Sequence, residues 1–382
     1  MSERTTRLGA DDFEEAIDFV NLVFSVYEPH DFERLLPKLY RPTDEAMGRH
    51  LAVKRDGRIR AIVGVYPIEL NIANTLLRIA GVGAVSVHPR DRGRGYMKRL
   101  MAASIEQIRE ESWEISWLSG QRQRYGYFGY EVCGTAWEFS VSEANVRHSY
   151  RPAPGLTFEK VNSPDDERIS AIAGWHNCRP VRCTRPAGAF FDVARSWHHD
   201  LFVALDAERR AVGYTIADSI SGTVFEAGGE TEATTRALVP AWVRQHGSGT
   251  VRFETAPVPS PLVDELGRVA EGYHIRPVGN WRIFDWQGVL RALLALRRDT
   301  TGLPPGEIVI GIEGYGNLRL TVSAERAVCE RTDESAAVEM TESVAMRTLF
   351  GPLPPAATGA ISGSVLDGWC PLPLFLPRQD GV

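Results

Sequence analysis

The chain has 382 residues, of which 43% are apolar and 24% charged, and carries a formal net charge of −6. That length accommodates two or three domains, and that composition suits a folded globular protein, which excludes a largely disordered chain. The acidic balance argues against a general nucleic-acid binder, and no segment has the apolar run of a signal peptide or a membrane span, so a cytoplasmic protein without a nucleic-acid or membrane partner is expected.

In chain order, Asp11 and Asp12 can open a helix that places Phe13, Ile17, Val20 and Phe24 on one face. Strands over 51–54 and 59–65 flank Asp56-Gly57, a hairpin signal, and 68–72 with 76–87 suggest a second antiparallel pair. From Val85 to Tyr96 the chain reads as a strand that delivers a glycine-rich, basic loop to the start of a helix over 96–110, whose Met97, Leu100, Met101, Ile105 and Ile108 form one apolar stripe. Unpaired amides and a partial positive charge at such a helix start make an anion cradle, and Gly93 and Gly95 let the backbone approach a pyrophosphate closely. The loop lacks the third glycine of a dinucleotide fingerprint and the Gly-Lys-Ser/Thr ending of a P-loop. An ordinary turn with solvated arginines would use the same glycines.

A short apolar strand over 115–118 and a polar stretch over 119–124 lead into Tyr125-Gly-Tyr127-Phe128-Gly-Tyr130, where two glycines among four aromatics suggest a turn capping the sheet. A second α/β segment follows, with strands at 201–205, 212–217 and 251–255 and a helix over 231–245 that Gly247-Ser-Gly249 would stop. The last segment begins near Asp285, with a short helix around Leu290, Leu293 and Leu294, a meander at 307–312, 318–322 and 326–329, and a helix capped by Thr341 that runs to Leu349. The final residues, from Trp369 to Val382, keep apolar and proline residues to the end and are expected to be tied down. Cys133, Cys178, Cys183, Cys329 and Cys370 are odd in number without repeating spacing, so buried thiols are expected instead of disulfides. His176, Cys178 and Cys183 match no strong ligand pattern, and no metal is expected.

Arg90-x-x-Gly93-x-Gly95 resembles the acyl-CoA pyrophosphate loop of the Gcn5-related N-acetyltransferases (GNAT), and the Tyr125 block resembles a segment of the enhanced-intracellular-survival (Eis-like) members. These two motifs carry the specificity; the other two thirds of the chain match by order and length. The resemblance implies an α+β chain of two tandem GNAT-like lobes, with mixed, largely antiparallel sheets and flanking helices, and a C-terminal sterol-carrier-like (SCP2-like) α/β domain. The corresponding spans are 1–148, 149–284 and 285–382, the second lobe being degenerate. It further implies acetyl-CoA as cosubstrate, held by Val85, Val87, Arg90, Arg92, Gly93, Arg94, Gly95 and Tyr96. Tyr125 would protonate the departing thiolate, and Val382 would act as general base through its terminal carboxylate. A phenol of pKa about 10 can serve a thiolate whose conjugate acid lies near 8 to 9, whereas a terminal carboxyl near 3.5 needs burial or a bridging water. Gly381-Val382 is a small ending where many members have a bulky one.

The implied acceptor is an amine of a small cationic molecule, aminoglycoside- or polyamine-like, attacked directly in a ternary complex. Phe24, Glu28 and Asp31, at and just past the end of the first helix, are the candidates for lining its pocket. Core packing explains Phe24 equally, and a solvated helix end explains the two acids. A homo-oligomer, trimer or hexamer, is implied by resemblance alone. Two other readings stay open: a non-catalytic acyl-CoA sensor that keeps the cradle, and a lipid binder acting through the last domain.

Overall fold

A computed structural model describes residues 3–26, 29–150, 155–247, 249–358 and 363–382. Three sheets organise them. The first has eight strands: β1 (Glu3–Arg7), β2 (His50–Arg55), β3 (Arg58–Ile72), β4 (Thr75–Val87), β5 (Ile115–Leu118), then Asn280–Ile283 and β6 (Glu131–Val132), with Val181–Cys183 pairing on β3. The two expected segments 59–65 and 68–72 are one strand of 15 residues, because Pro67, the interruption between them, sits with its side chain on the open face while its neighbours Tyr66 and Ile68 stay buried. The helix α1 (Phe13–Phe24) packs on one face of this sheet and α2 (Tyr96–Glu110) on the other. The expected stripe of α2 holds: Leu100, Met101, Ile105 and Ile108 are buried against Val63, Val65, Ala80 and Val82. On α1 the buried face is Ala16, Phe19 and Val20, and Phe24 is 36% exposed. Phe13, Ile17 and Val23 are partly buried against the same core, so of the expected stripe only Phe24, at the helix end, leaves it.

The second sheet has seven strands in the order Gly272–Arg276, Ala136–Ser142, Thr250–Thr255, Val224–Gly229, Ala211–Ala217, Asp200–Leu205 and Thr157–Lys160. Its long helix, Glu232–His246, ends immediately before Gly247. The third sheet has four strands, Ala327–Arg331, Gly316–Val322, Gly306–Ile312 and Val338–Met340, and packs on the helix Trp286–Thr301. Thr341 caps the helix Glu342–Phe350, its hydroxyl accepting from the Val344 amide at 3.3 Å. The sheets do not respect the limits at 148 and 284: Ala136–Ser142 belongs to the second sheet, and Asn280–Ile283 is inserted in the first, between β5 and β6.

The tail is tied down by both backbone and side chains. Leu372, Leu374, Phe375, Leu376 and Val382 are buried in the core that joins the first sheet to the helix Trp286–Thr301. The Thr135 amide donates to Leu374 O at 2.8 Å and the Leu372 amide to Leu349 O at 2.7 Å, so the segment pairs with backbone just ahead of Ala136–Ser142 and in the last turn of the helix Glu342–Phe350. All five cysteines are free thiols, buried except Cys178. Among the described residues no cluster suited to a metal ion occurs, and no helix is long and apolar enough to cross a membrane.

His50 is fully buried under this sheet, its Nδ1 3.2 Å from Met47 O and its Nε2 2.8 Å from the Tyr66 hydroxyl. That pairing makes Nδ1 the donor and Nε2 the acceptor. Burial pushes the His50 pKa down to about 4, and burial with the neighbouring Arg378 does the same for His199. An unfolded chain takes up both protons near pH 6.5, the folded one only near 4. Their contribution is therefore complete above pH 6.5 and is lost as the pH falls toward 4. Urea midpoints should decline across that window, and His50→Gln should shallow the decline; an unchanged slope would remove His50 from the account.

Candidate active site

The cradle forms because β4 is bulged and splayed. Between Ile62 and Gly64 its pairing with β3 slips by one residue, and Ala84 adopts φ +52° at the slip. On the other side β4 pairs in parallel with β5 at only three positions, Ile79, Ala80 and Gly81. Beyond Gly81 the strands part, and a cavity of about 650 Å³ opens along Val85, Ser86 and Val87 toward the start of α2. A splayed strand presents main-chain groups that a ligand can pair with.

The loop into α2 is fitted to an anion. Gly93 and Gly95 sit at φ +85° and +79°, the left-handed region where a side chain is strained, although space around both is open. α2 starts with no side-chain cap and no acidic residue in its first turn. By contrast the helices after Thr231, Ser260 and Thr341 are each capped by that hydroxyl. The free amides and positive end of α2 thus face the cavity.

Of the three arginines expected to meet phosphate, only Arg92 lines the cavity. Arg94 is drawn back to Asp91, Nε to Oδ1 at 3.1 Å, and Arg90 is exposed outside the lining. Asp91, 1% exposed in its side chain, is the loop's anchor: it also takes Arg55 at 2.6 Å and Arg60 at 3.7 Å. Lys98 and Arg124 supply the other cations on the wall. Neither stands out in the sequence, since Lys98 lies inside the helix and Arg124 in a polar run. Tyr96 contributes through its place at the helix start, for its ring is buried and its hydroxyl donates to Glu3 at 2.7 Å. Arg92→Ala should raise the KM for acetyl-CoA about tenfold, the worth of one hydrogen bond to a charged group, whereas Arg90→Ala should leave it unchanged. Equal effects in initial-rate measurements would contradict this geometry.

Tyr125 lies on a short helix, Arg122–Gly126, at 6% exposure, its ring packed on Gly120, where an added Cβ would come within 2.2 Å of Cε2. Its neighbours Arg124, Tyr127 and Phe128 line the cavity, and Tyr125 itself stands behind them. Burial raises its pKa above the ordinary phenol value, with Arg124 pulling the other way. Tyr130 fits the expected cap, buried with its hydroxyl 2.7 Å from that of Ser116; Tyr127 does not, being 67% exposed under Lys98.

Val382 crosses the opposite face of β4. A Cβ added at Gly83 would lie 3.2 Å from its carboxyl carbon, and one at Gly81 2.9 Å from its Cγ2. Glycine is required there by close approach. Lys38 holds the preceding turn, Nζ donating to Gly381 O at 2.7 Å and to Gln379 O. Asp380 is bound by Arg185. On this side a second cavity, of about 300 Å³, is lined by Lys38, Tyr66, Glu69, Cys183, Asp380 and Val382 among others. Burial pulls Lys38 down to about 8 against the field of Asp380.

Of the expected substrate-facing set, Phe24 and Asp31 are not among the residues that line these two cavities. Phe24 packs on Phe32, 5.1 Å between ring centroids, and α1 sends Val23 to the first cavity. Asp31 caps the helix Phe32–Leu35 by accepting from the Arg34 amide. Glu28 lies outside the described residues.

Residues 4–133 match the family described as an acetyltransferase (GNAT) domain. That first third of the chain is thus a GNAT-type acetyltransferase domain. No curated protein matches it. Among solved structures, a probable N-acyltransferase of Enterococcus faecalis superposes with a TM-score of 0.68 at 16% identity, covering 98% of this chain and 99% of that one. A GCN5-related N-acetyltransferase of Kribbella flavida gives 0.65 at 19% identity, covering 96% and 95%. Eis1 of Mycobacterium abscessus gives 0.62 at 16% identity, covering 99% and 98%. The GNAT fold implies use of acyl-CoA, and the splayed β4, uncapped α2 and cationic wall fit such a ligand.

Proposed function

We propose that the chain transfers the acetyl group of acetyl-CoA to an amine of a small molecule by direct attack in a ternary complex. The observation that carries this reading is the placement of two cavities on either side of β4, one ending in the anion cradle and the other at Val382, with the splay beside Gly83 between them. Val85, Val87, Arg92, Lys98 and the amides at the start of α2 hold the cosubstrate, which supplies the activated acetyl group. Tyr125 gives its proton to the leaving sulfur. The Val382 carboxylate accepts the amine proton, directly or through one water.

The second sheet supports a degenerate second lobe. Val224–Gly229 and Thr250–Thr255 are parallel, joined at one register position and linked through Glu232–His246, the arrangement of β4, α2 and β5. Glu230 and Glu232 stand where the cradle has arginines, and they would repel phosphate. The four-stranded sheet packed on one long helix supports the sterol-carrier-like reading of the last unit by arrangement. Assembly as a trimer or hexamer and a cytoplasmic setting belong to the same proposal. For the acceptor, the Eis-like resemblance favours an aminoglycoside- or polyamine-like cation, and the carboxylates of Glu69, Asp380 and Val382 on the walls of the Val382-side cavity agree with that reading.

Thiol release from acetyl-CoA across an amine panel tests the reaction. Amine-dependent release that disappears when Val382 is deleted is expected. Binding of CoA without release would establish a sensor, and co-purified fatty ligand would point to lipid carriage.

A further inference from the structure

We infer that Tyr127 and Lys98 form a shelf for the adenosine end of CoA, the ring stacking on the adenine and the ammonium taking the phosphate on the ribose 3′ carbon. The inference rests on the acyl-CoA reading of the first cavity and deepens it. The donor is then recognised as a nucleotide, so an acyl group carried on a bare 4′-phosphopantetheine arm is a poor substitute.

Lys98 is the third residue of α2, a helix with no acid in its first turn. A cation there opposes the positive end of its own helix, where acids are the favoured residues. Among the described residues Lys98 forms no ion pair; its ammonium lies 5.0 Å from the centre of the Tyr127 ring. The next residue, Arg99, is matched by Glu3 at 2.6 Å. The one carboxylate on the wall of this cavity, Asp91, is already held by Arg55, Arg60 and Arg94, so it leaves Lys98 unmatched. Arg92 and the α2 amides serve the pyrophosphate, and the further cation suits the further phosphate of CoA.

Tyr127 lines the same cavity and is 67% exposed, more than any other aromatic residue described. Tyr273, the next, is tied down by its hydroxyl, which donates to Gly267 O at 2.8 Å. Tyr127 is braced from the side instead: Phe128, partly buried against the core under α2, meets it at 5.1 Å and 84°. An aromatic ring held in place and open to solvent is a platform for a base. The splay at Val85 and Val87 takes the arm that ends in the thiol, and the cavity beyond β4 takes the acceptor, which leaves the shelf for the adenosine end.

Calorimetric Kd values of the full-length protein for CoA, dephospho-CoA and 4′-phosphopantetheine test this. CoA is expected to bind roughly tenfold more tightly than dephospho-CoA, the worth of a charge-assisted hydrogen bond. Lys98→Met should abolish that difference without weakening dephospho-CoA, and Lys98→Arg should keep it. Tyr127→Ala should weaken CoA and dephospho-CoA about tenfold each and leave 4′-phosphopantetheine within about twofold, whereas Tyr127→Phe should bind all three normally. Equal binding of CoA and dephospho-CoA by the unaltered protein, or a Tyr127→Ala effect that is absent or falls on all three ligands alike, overturns the inference and leaves acyl-CoA use in place. Failure of CoA to bind at all overturns both.

Discussion

Arg185→Met is expected to destabilise the protein by about 3–5 kcal/mol, the usual cost of removing one partner from a buried ion pair. Arg185 has no exposed side-chain surface and grips two carboxylates at once: Glu226 through Nη1 at 3.1 Å and Nη2 at 2.9 Å, and Asp380 through Nε and Nη2. Burial would push Glu226 up, but Arg185, Arg179 and His176 hold it well below the usual carboxylate range. Methionine fills much of the volume and supplies none of the charge. Glu226 keeps Arg179 at 3.0 Å, His176 at 2.8 Å and the Tyr214 hydroxyl at 2.6 Å, so the damage concentrates on Asp380. Asp380 is two residues from Val382, and releasing it should free the end of the tail. Denaturant midpoints together with hydrogen exchange over 378–382 check this. A change below about 1 kcal/mol, typical of a surface ion pair, would show that the network is dispensable.

Tyr125→Phe should lower kcat at least about 100-fold, the lower range for a lost general acid, and leave CoA affinity within about twofold. The asymmetry follows from position: the residues that line the cradle cavity are Tyr125's neighbours, while its own ring is seated on Gly120. Gly120→Ala offers a second route to the same step, because its methyl group would drive into Cε2 and turn the ring while the hydroxyl stays present. Both variants should release thiol slowly at every acceptor concentration in single-turnover measurements. A Tyr125→Phe enzyme with normal kcat would assign the proton to another donor.

The sequence makes the cradle legible because everything it needs is local: strand, two left-handed glycines and an amphipathic helix follow one another within 26 residues, from Val85 to Glu110. Which arginine meets the cavity is not local, since Asp91 captures Arg94 only once β2 and β3 bring Arg55 and Arg60 beside it. The tail's burial is legible in its unbroken apolar and proline run. Its partners Lys38 and Arg185 are not, lying 343 and 195 positions from the residues they hold. Likewise nothing in Asn280–Ile283 distinguishes a strand of the first sheet from one of the second, because pairing partners leave no mark on a four-residue segment of alternating polar and apolar residues. On α1 the core face is legible and its end is not, because Phe24 packs on Phe32, a partner that helical spacing does not reveal.

The insertion of Asn280–Ile283 between β5 and β6 has a consequence for synthesis. The catalytic sheet is the first to leave the ribosome and cannot be closed until a strand 162 positions beyond Leu118 arrives. At translation speeds of roughly 5–20 residues per second, that interval is on the order of ten seconds or longer. During it the β5 edge is open and Trp281, which later packs fully buried against this sheet, is absent. A chain ending before residue 280 thus lacks the strand that pairs with β5 and leaves that edge able to pair with another chain.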